Sequence, residues 1–577
     1  MTGRRLQDEA ADPLAAPRLR TLAWLLPPLL LGAGLRLWGL SRQVLTGDEV
    51  HGVARALDPS LAQVFRYQGV DHCIPLTALF RLLSWAGIGL SETVVRAPSV
   101  AAGLLTLVLL PLLAARWGGA RVGALLAWLL AVSPSLIYYS RIARPYALVA
   151  LLACLAAAAF WRWYRGGGAA LAAGYAAAGA LTLWLHPGFA PFVAAPLAYA
   201  AAESAGRAAT GRGPGVRRPA ALAAVATALA LGVALFLVPA WRSFRRVLAH
   251  KAGEGSVGPE TVGDVLLLQA GTAVPGLALL AGAAAAVGLA VLLGRRPGFA
   301  LYGITLIAAQ WLAVAVVLQP AKVFKPIVLN RYVLVALPIF LLWAACGLAE
   351  VWRRSSRRHR LLGPVLPAAV VAALLLGGPH LADPYLRFGP FAGTNAALAL
   401  YDPPPALPAD RVPEAYRLMA REPGGGAVLE AATRTVAAQL DATIALSRHH
   451  GRPVILGVDR PWARDPRLAL TTVVDIRART LCGSRARFLV VHGDRAPLER
   501  LVDELVAGGA PPPESPAPHW RPVPLELAGA LEAECGEPYL RSPELALWDL
   551  ERTRSLGRPR PLPDDPGRAA GSVGAAW

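Results

Sequence analysis

Acidic and histidine side chains cluster within residues 41–97, directly after the first long apolar run of the chain. The members of this cluster are Asp48, Glu49, His51, Asp71 and His72. A carboxylate in this position could act as a general base, taking the proton from a hydroxyl while a glycosyl or phosphoryl group is transferred. A structural alternative is equally open: Asp48 is well suited to cap a helix that begins near Glu49.

Basic residues at the ends of several apolar runs form a second group that could do chemistry. They are Arg96, Arg141, Arg144, Lys322, Lys325 and Arg331. A guanidinium matches phosphate oxygens in bidentate geometry, so six such cations together favour an anionic lipid ligand. For any one of them, the alternative is a side chain that simply reaches toward the lipid headgroups.

The histidines are open to more than one interpretation. His51 and His72 lie among carboxylates of a type that suits a divalent cation, which makes them weak metal candidates; no other cofactor is expected. His186 precedes a proline at the end of an apolar run, where it is either a hydrogen-bonded interfacial residue or part of a substrate cleft. The pair His449-His450 is typical of a solvated surface.

The elements that must position these groups are membrane helices. Of the 577 residues, 55% are hydrophobic and 16% are charged, whereas about 25% are charged in soluble domains. The net charge of +20 does not indicate nucleic acid, because no binding motif for it is present. Only three of the 57 basic residues are Lys, which indicates a compositional preference for Arg.

Eleven apolar runs are long enough to cross about 30 Å of hydrocarbon. They lie near 21–40, 98–115, 122–139, 145–161, 169–185, 187–202, 219–239, 272–294, 299–318, 331–349 and 361–379. The first run is long for a signal peptide and is predicted to be an anchor. The shorter run near 74–90 is predicted to be interfacial or re-entrant.

Charge asymmetry predicts the orientation of these spans. Every second connection is rich in Arg, which is typical of cytoplasmic loops. Residues 1–20 are therefore predicted to be cytoplasmic, and the first loop (41–97), the six cations and the tail are predicted to lie outside, in a bacterial-type plasma (inner) membrane. The fold class is a polytopic α-helical membrane protein with about eleven transmembrane helices in residues 21–380.

The tail changes in character. Residues 390–552 alternate short β-type runs with helix-like stretches at 432–446 and 496–507, so they are predicted to form an extracytoplasmic α/β domain. The predicted strands are Ala427–Glu430, Pro453–Gly457, Leu470–Val474, Arg487–Val491 and Leu545–Asp549. Cys482 and Cys535 could pair if this domain faces an oxidising compartment. Residues 553–577 are predicted to be disordered.

Several short motifs together resemble a known family over residues 40–380. They are Thr46-Gly47-Asp48-Glu49, Asp71-His72-Cys73-Ile74-Pro75-Leu76, Arg96-Ala97-Pro98-Ser99, Ser133-Pro134, Tyr138-Tyr139-Ser140-Arg141-Ile142-Ala143-Arg144-Pro145-Tyr146-Ala147-Leu148, His186-Pro187 and Asn330-Arg331-Tyr332. In order and spacing they resemble the GT-C membrane glycosyltransferases. Within these, the closest branch is the protein-mannosyltransferase and aminoarabinose-transferase group, which is glycosyltransferase family 39-like.

The resemblance implies an enzyme that takes a sugar from a polyprenyl-phosphate carrier and passes it to a hydroxyl of a glycan, lipid or protein acceptor, with inversion. It implies that Asp48 is the catalytic base with Glu49 in support. The carrier phosphate would be held by outer-face arginines, of which Arg144 and Arg331 are the strongest candidates. Tyr146 and His186 are further substrate-binding candidates from the same motifs.

Two departures from the family pattern limit this transfer of roles. Many relatives have an acidic residue where this chain has Ile142, so Asp71 is the candidate for a second catalytic acid. His72 does not align cleanly with the family's His-Pro-Pro-Leu motif. Two other functions remain open, namely a transferase of lipid-linked oligosaccharides or polymers and a lipid or sugar transporter (flippase). A transporter should carry more charge within its spans.

Overall fold

The computed structural model describes a polytopic helical membrane protein. The described residues are 19–38, 40, 49, 53, 56, 61–66, 73–211, 217, 219–251, 256–272, 274–320, 323, 326–359, 362–377, 409–431, 449–450, 452, 454–458, 473–475, 477–492, 525–542 and 545–557. Outside them lie Asp48, His51, Asp71, His72, Lys322 and Lys325. The predicted helical stretches 432–446 and 496–507 also lie outside them, as do residues 1–18 and 558–577.

Seventeen α-helices are described before residue 380. They are α1 (Leu19–Leu37), α2 (Leu61–Arg66), α3 (Ile74–Trp85), α4 (Glu92–Gly118), α5 (Ala120–Val132), α6 (Pro134–Ser140), α7 (Tyr146–Tyr164), α8 (Ala169–Leu185), α9 (Ala190–Ala209), α10 (Pro219–Leu237), α11 (Trp241–Lys251), α12 (Pro259–Ala270), α13 (Pro275–Arg295), α14 (Pro297–Leu312), α15 (Pro326–Val333), α16 (Leu337–Arg358) and α17 (Leu362–Leu376). Helices occupy all eleven predicted apolar runs.

Not all of these helices are long enough by themselves to span a membrane. Among the described residues, six helical stretches have the required length and apolar composition, and a seventh is obtained if the bent pair α5–α6 counts as one span. Several other predicted runs form shorter apolar helices, such as α8 and α17. The number of spans described is thus smaller than the eleven predicted.

The bend between α5 and α6 has an identifiable cause. The two helices are separated by Ser133 and meet at an angle of 64°. Pro134 has no backbone N–H to donate and its ring excludes a straight continuation of α5. The bend redirects the chain, so that α6, which contains Tyr138 and Tyr139, leads into the turn formed by residues 141–145.

Helices α13 and α16 cross at a pair of glycines. A Cβ atom on Gly288 would lie 1.7 Å from the carbonyl oxygen of Trp343, and one on Gly347 would lie 1.9 Å from the carbonyl oxygen of Ala284. Small residues let two backbones approach closely, which is how helices gain packing energy where lipid removes the hydrophobic driving force. These two positions therefore define the approach of α13 to α16.

The tail contains a six-stranded sheet with flanking helices. Its elements are α18 (Glu414–Arg421), β1 (Val428–Ala431), β2 (Val454–Val458), β3 (Val473–Asp475), α19 (Ala478–Cys482), β4 (Phe488–His492), α20 (Leu525–Cys535), β5 (Leu540–Arg541), β6 (Leu545–Asp549) and α21 (Leu550–Ser555). The strand order is β3-β2-β1-β4-β6-β5, in which the first four strands are parallel and the last two pair antiparallel. The five predicted strands overlap β1, β2, β3, β4 and β6, and the third overlaps β3 only at residues 473–474.

The two tail cysteines are joined. Cys482 and Cys535 form a disulfide with their Cα atoms 5.5 Å apart. They lie in the same buried cluster as Leu481 and Trp548, on one face of the sheet. The disulfide therefore ties α19 to α20 across this part of the core.

The prediction that His450 is solvated is wrong. Its side chain is buried, and its ring stacks on Tyr416 at a centroid distance of 6.0 Å. The hydroxyl of Tyr416 lies 3.1 Å from Nε2 of His492 and donates a hydrogen bond to Oε1 of Glu430. Burial lowers the pKa of His450 to about 4, so the ring is neutral at physiological pH.

Gly288→Val should destabilise the protein, because the new side chain would meet the backbone of α16. We expect a loss of about 1–3 kcal/mol, typical of overpacking, seen as a lower melting temperature in detergent. Gly282→Val on the same helix is the matched control, since a Cβ there meets nothing within 4 Å. Equal melting temperatures for the two variants would contradict this packing.

Candidate functional site

A buried ion pair lies at the centre of the candidate site. Nε of Arg96 donates to Oε1 of Glu49 at 2.9 Å, and Nη2 donates to Oε2 at 3.0 Å. Both side chains are fully buried. The third guanidinium nitrogen of Arg96, Nη1, donates to the carbonyl oxygen of Leu40. A bidentate pair with its remaining donors satisfied is the geometry in which burial of two charges is tolerated.

The same carboxylate holds the turn at residues 141–145. Oε1 of Glu49 accepts the backbone N–H of Ala143 at 2.7 Å. From α4, Oγ of Ser99 donates to the carbonyl oxygen of Arg144 at 2.8 Å. The first loop, α4 and this turn are therefore joined at one point, and the joint sets the backbone position of Arg144.

Two further arginines support the turn from inside the helix bundle. Nη1 of Arg141 donates to the carbonyl oxygens of Leu35 and Arg36 at 3.1 and 3.0 Å. Arg36 in turn donates to the carbonyl oxygens of Leu130 and Ala131 at the end of α5. Both guanidiniums are fully buried. Arg36 binds carbonyls in the last turn of α5, beside the α5–α6 bend, and Arg141 binds carbonyls in the last turn of α1, where the end of each helix leaves such groups without helical partners.

An aromatic and cationic cluster lies beside this turn. The ring of His186 lies 5.8 Å from that of Tyr146 and 5.5 Å from that of Tyr332. The guanidinium carbon of Arg331 lies 5.5 Å from the centre of the Tyr332 ring. Arg144 and Arg331 are both half-buried, in contrast to Arg96 and Arg141. Four of the predicted site residues are thus brought together.

His186 lies in the turn between α8 and α9, and the charges of Arg144 and Arg331 affect the pKa of its ring. Desolvation of its ring lowers its pKa, and the nearby charges of Arg331 and Arg144 lower it further. The imidazole is therefore neutral at physiological pH. Its Nδ1 accepts the backbone N–H of Gly188, so the proton of the neutral ring is assigned to Nε2. Nε2 can donate a hydrogen bond to an anionic ligand.

Gln310 connects the two halves of this cluster. Its Nε2 donates to the carbonyl oxygens of Gly188 and Tyr332 at 3.0 and 2.8 Å, and its Oε1 accepts from the backbone N–H of Phe192. The side chain is fully buried within α14. The sequence prediction missed this residue; the available signal was an amide inside an otherwise apolar run.

A second polar chain joins α6 to α15. Nδ2 of Asn330 donates to Oγ of Ser135 at 3.1 Å, and that hydroxyl donates to the carbonyl oxygen of Leu268. The hydroxyl of Tyr139 donates to the carbonyl oxygen of Ile327 at 3.2 Å. These contacts place Arg331, which follows Asn330, on a helix that is bonded to the same bent segment as Arg144.

The predicted site residues fall into three groups. Arg144, Tyr146, His186 and Arg331 meet in one cluster, while Glu49, Arg96 and Arg141 lie in the buried network that supports it. The catalytic candidates Asp48 and Asp71, the metal candidates His51 and His72, and the cations Lys322 and Lys325 lie outside the described residues. Within the described ranges, His, Cys, Asp and Glu side chains form no group of three that could hold a metal ion.

Comparisons with known proteins find similarity at the level of structure. No protein-family model matches the sequence, and no curated protein sequence matches it. ArnT from Cupriavidus metallidurans bound to undecaprenyl phosphate is 13% identical, with 91% of this chain and 97% of that chain covered and a TM-score of 0.46. ArnT from the same organism in the apo state is 14% identical, with 92% of this chain and 98% of that chain covered and a TM-score of 0.45.

A third similar structure is the oligosaccharyltransferase of Archaeoglobus fulgidus tethered to an acceptor peptide that contains the NVT sequon. It is 12% identical, with 85% of this chain and 71% of that chain covered and a TM-score of 0.40.

Glu49→Gln should strongly destabilise the protein, because it leaves the Arg96 charge buried without its counter-ion. Breaking a buried pair from one side costs about 3–5 kcal/mol, which thermal unfolding in detergent would measure. Glu203→Gln is the control: Glu203 is only partly buried and lies 3.7 Å from Arg165 and Arg207, so its loss should cost at most about 1 kcal/mol.

The double variant Glu49→Gln/Arg96→Leu should recover part of this loss, because it removes both charges. Additive losses in the double variant would show that the two side chains are not coupled.

Proposed function

We propose that this chain is a membrane glycosyltransferase that takes a sugar from a polyprenyl-phosphate carrier and transfers it to an acceptor hydroxyl. The observation that carries this proposal is the cluster of His186, Tyr332 and Arg331, which lies beside the turn that carries Arg144. A phosphate beside both guanidiniums is attracted by two cations, and a lipid phosphate is the anion that an apolar bundle can also recognise.

The residues around the cluster suit a departing phosphate. Guanidiniums bind phosphate oxygens in bidentate geometry, and Nε2 of the neutral His186 adds a donor without adding charge. Because these groups are fixed by Glu49, Ser99 and Gln310, little reorganisation is needed when negative charge develops on the leaving oxygen. Preorganised donors of this kind are the main source of electrostatic stabilisation in transferases.

The chemical step follows from the motif resemblance. Asp48 takes the proton of the acceptor hydroxyl, and the resulting oxygen nucleophile attacks the anomeric carbon of the sugar. The bond between that carbon and the carrier oxygen breaks, and its electron pair leaves with the lipid phosphate. A single displacement inverts the anomeric configuration. Glu49 then has a positioning role, since its carboxylate is occupied by Arg96 and the N–H of Ala143. Asp71 is the candidate for a second acid.

The placement in the membrane is part of the proposal. Eleven spans put the N-terminus in the cytoplasm and put the first loop, the cation cluster and the tail outside, in a bacterial-type plasma membrane. Residues 390–552 then form an extracytoplasmic domain beside the cleft. Lys322 and Lys325, between α14 and α15, are proposed to add positive charge to the carrier site. Arg96 and Arg141 are proposed to position it.

Asp48→Asn should leave binding of a polyprenyl-phosphate sugar intact but reduce transfer by at least about 100-fold, the usual contribution of a general base. The assay is transfer of radiolabelled sugar by the purified protein, with donor binding measured in parallel. Turnover near that of the wild type would exclude Asp48 as the base.

Arg331→Ala should raise the KM for the donor lipid and weaken binding of the sugar-free polyprenyl phosphate by about tenfold, the effect of removing one charge-assisted hydrogen bond. Arg296→Ala is the control, because Arg296 connects α13 to α14 at the start of α14, whereas Arg331 lies in α15, which follows the other end of α14. Unchanged binding in Arg331→Ala would contradict the carrier site.

Gln310→Leu keeps the side-chain volume but removes both hydrogen bonds that join Gly188 to Tyr332. We expect a lower kcat together with weaker donor binding, because His186 and Arg331 lose their common support. Gln310→Glu should be at least as harmful, since a carboxylate cannot donate to two carbonyl oxygens. Wild-type kinetics for both variants would show that Gln310 does not position the site.

A further inference from the structure

Helix α11 carries charge and apolar side chains on different sides. Arg242, Arg245 and Arg246 are exposed, whereas Phe244 packs inward. At 100° per residue, Arg242 and Arg246 lie opposite Phe244, and Arg245 lies on the flank between the two sides. Among the described residues, no ion pair involves any of these three arginines. Their charge is thus not neutralised within the described protein.

The preceding helix, α10, indicates where α11 lies relative to the membrane. Near the end of α10, Leu231, Leu235 and Val238 are exposed by 66–68%, as expected for side chains that face lipid. Helix α11 begins at Trp241, almost directly after this lipid-facing end. A basic amphipathic helix in that position lies along the membrane interface, with its apolar side toward the acyl chains.

An apolar cavity opens beneath α11. Its volume is about 140 Å³, close to that of cavities that hold benzene. Its walls include Ile74, Trp184, Pro187, Phe236, Ala240 and Phe244. Two of these residues connect it to its surroundings: Phe244 belongs to α11, and Pro187 follows His186 of the candidate site. An apolar space of this kind at the membrane interface suits part of a hydrocarbon chain.

We propose that this cavity and the arginines of α11 form one binding site for an anionic phospholipid of the membrane. One acyl chain enters the cavity, and the headgroup phosphate contacts Arg245 on the flank of α11, with Arg242 adding attraction from the solvent side. The occupant is a phospholipid and not the carrier, because the carrier phosphate is assigned to Arg144 and Arg331. Since Pro187 forms part of the wall, an occupied cavity supports the turn that carries His186. The choice of a phospholipid over the carrier and the consequence for catalysis rest on the proposed function, whereas the binding of an anionic lipid by the cavity and α11 does not.

The binding test uses the full-length protein in detergent, titrated with phosphatidylglycerol or phosphatidylcholine and examined by native mass spectrometry. We expect one phosphatidylglycerol per chain to bind at least about tenfold more tightly than phosphatidylcholine. Arg242→Gln/Arg245→Gln should abolish this preference. The control Arg417→Gln/Arg421→Gln removes the same charge from α18 of the tail and should leave it unchanged.

Filling the cavity tests the chain-binding half of the site. Ala240→Phe should lower phosphatidylglycerol binding although every arginine is retained. Ala190 also lines the cavity, so Ala190→Phe is the second variant if Ala240→Phe does not fold. Equal binding of the two lipids, or full binding by the filled and the charge-depleted variants, would overturn the proposal. Displacement of phosphatidylglycerol by stoichiometric polyprenyl phosphate would overturn it too, by showing that the carrier occupies the cavity.

One more variant distinguishes the carrier site from the phospholipid site. Arg331→Ala should leave phosphatidylglycerol binding unchanged. If Arg331→Ala fails to weaken the carrier while the α11 variants still lose phosphatidylglycerol, the proposed function fails and the lipid site stands. Loss of phosphatidylglycerol in Arg331→Ala would instead merge the two sites and contradict this proposal.

Discussion

The buried ion pair between Glu49 and Arg96 is the contact on which the arrangement of the site depends. Two charges removed from water are stable only when each oxygen and each N–H finds a partner. Here the pair is bidentate, Nη1 of Arg96 donates to the carbonyl oxygen of Leu40, and Glu49 accepts the backbone N–H of Ala143. No single element could supply all of these partners. The first loop, α4 and the 141–145 turn must therefore come together for the pair to form.

Side chains that bind backbone groups extend this constraint through the bundle. Irregular backbone at membrane depth is tolerated where its polar groups are satisfied within the protein. Arg36 satisfies carbonyls beside the α5–α6 bend, Arg141 satisfies carbonyls at the end of α1, and Gln310 satisfies groups of the 186–189 turn and of α15. The candidate cluster is built on these irregular segments. Its precision therefore comes from residues that cannot themselves touch a ligand.

Much of the fold was predictable from the sequence, since apolar runs and short β-type runs are local properties. Helices lie at every predicted run, and the five predicted strands lie in the sheet. The grouping of Arg144, Tyr146, His186 and Arg331 was predictable from their motifs. The partners of buried polar groups were not: a single sequence shows that Gln310 and Arg36 are polar residues in apolar runs, but not which carbonyls they face. His450 shows the same limit, because its burial depends on Tyr416, Glu430 and His492, which are distant in sequence.

The arginines of this chain divide by burial, and the division assigns their roles. Arg36, Arg96 and Arg141 are fully buried and donate hydrogen bonds to Glu49 or to carbonyl oxygens, so they act on protein structure. Fully exposed arginines act through screened, long-range attraction, which suits a lipid surface. Arg144 and Arg331 are half-buried; under the proposed function, this burial desolvates them enough to bind a phosphate strongly and leaves them accessible enough to release it. A transferase that must release its carrier phosphate after each turnover needs cations of this intermediate kind.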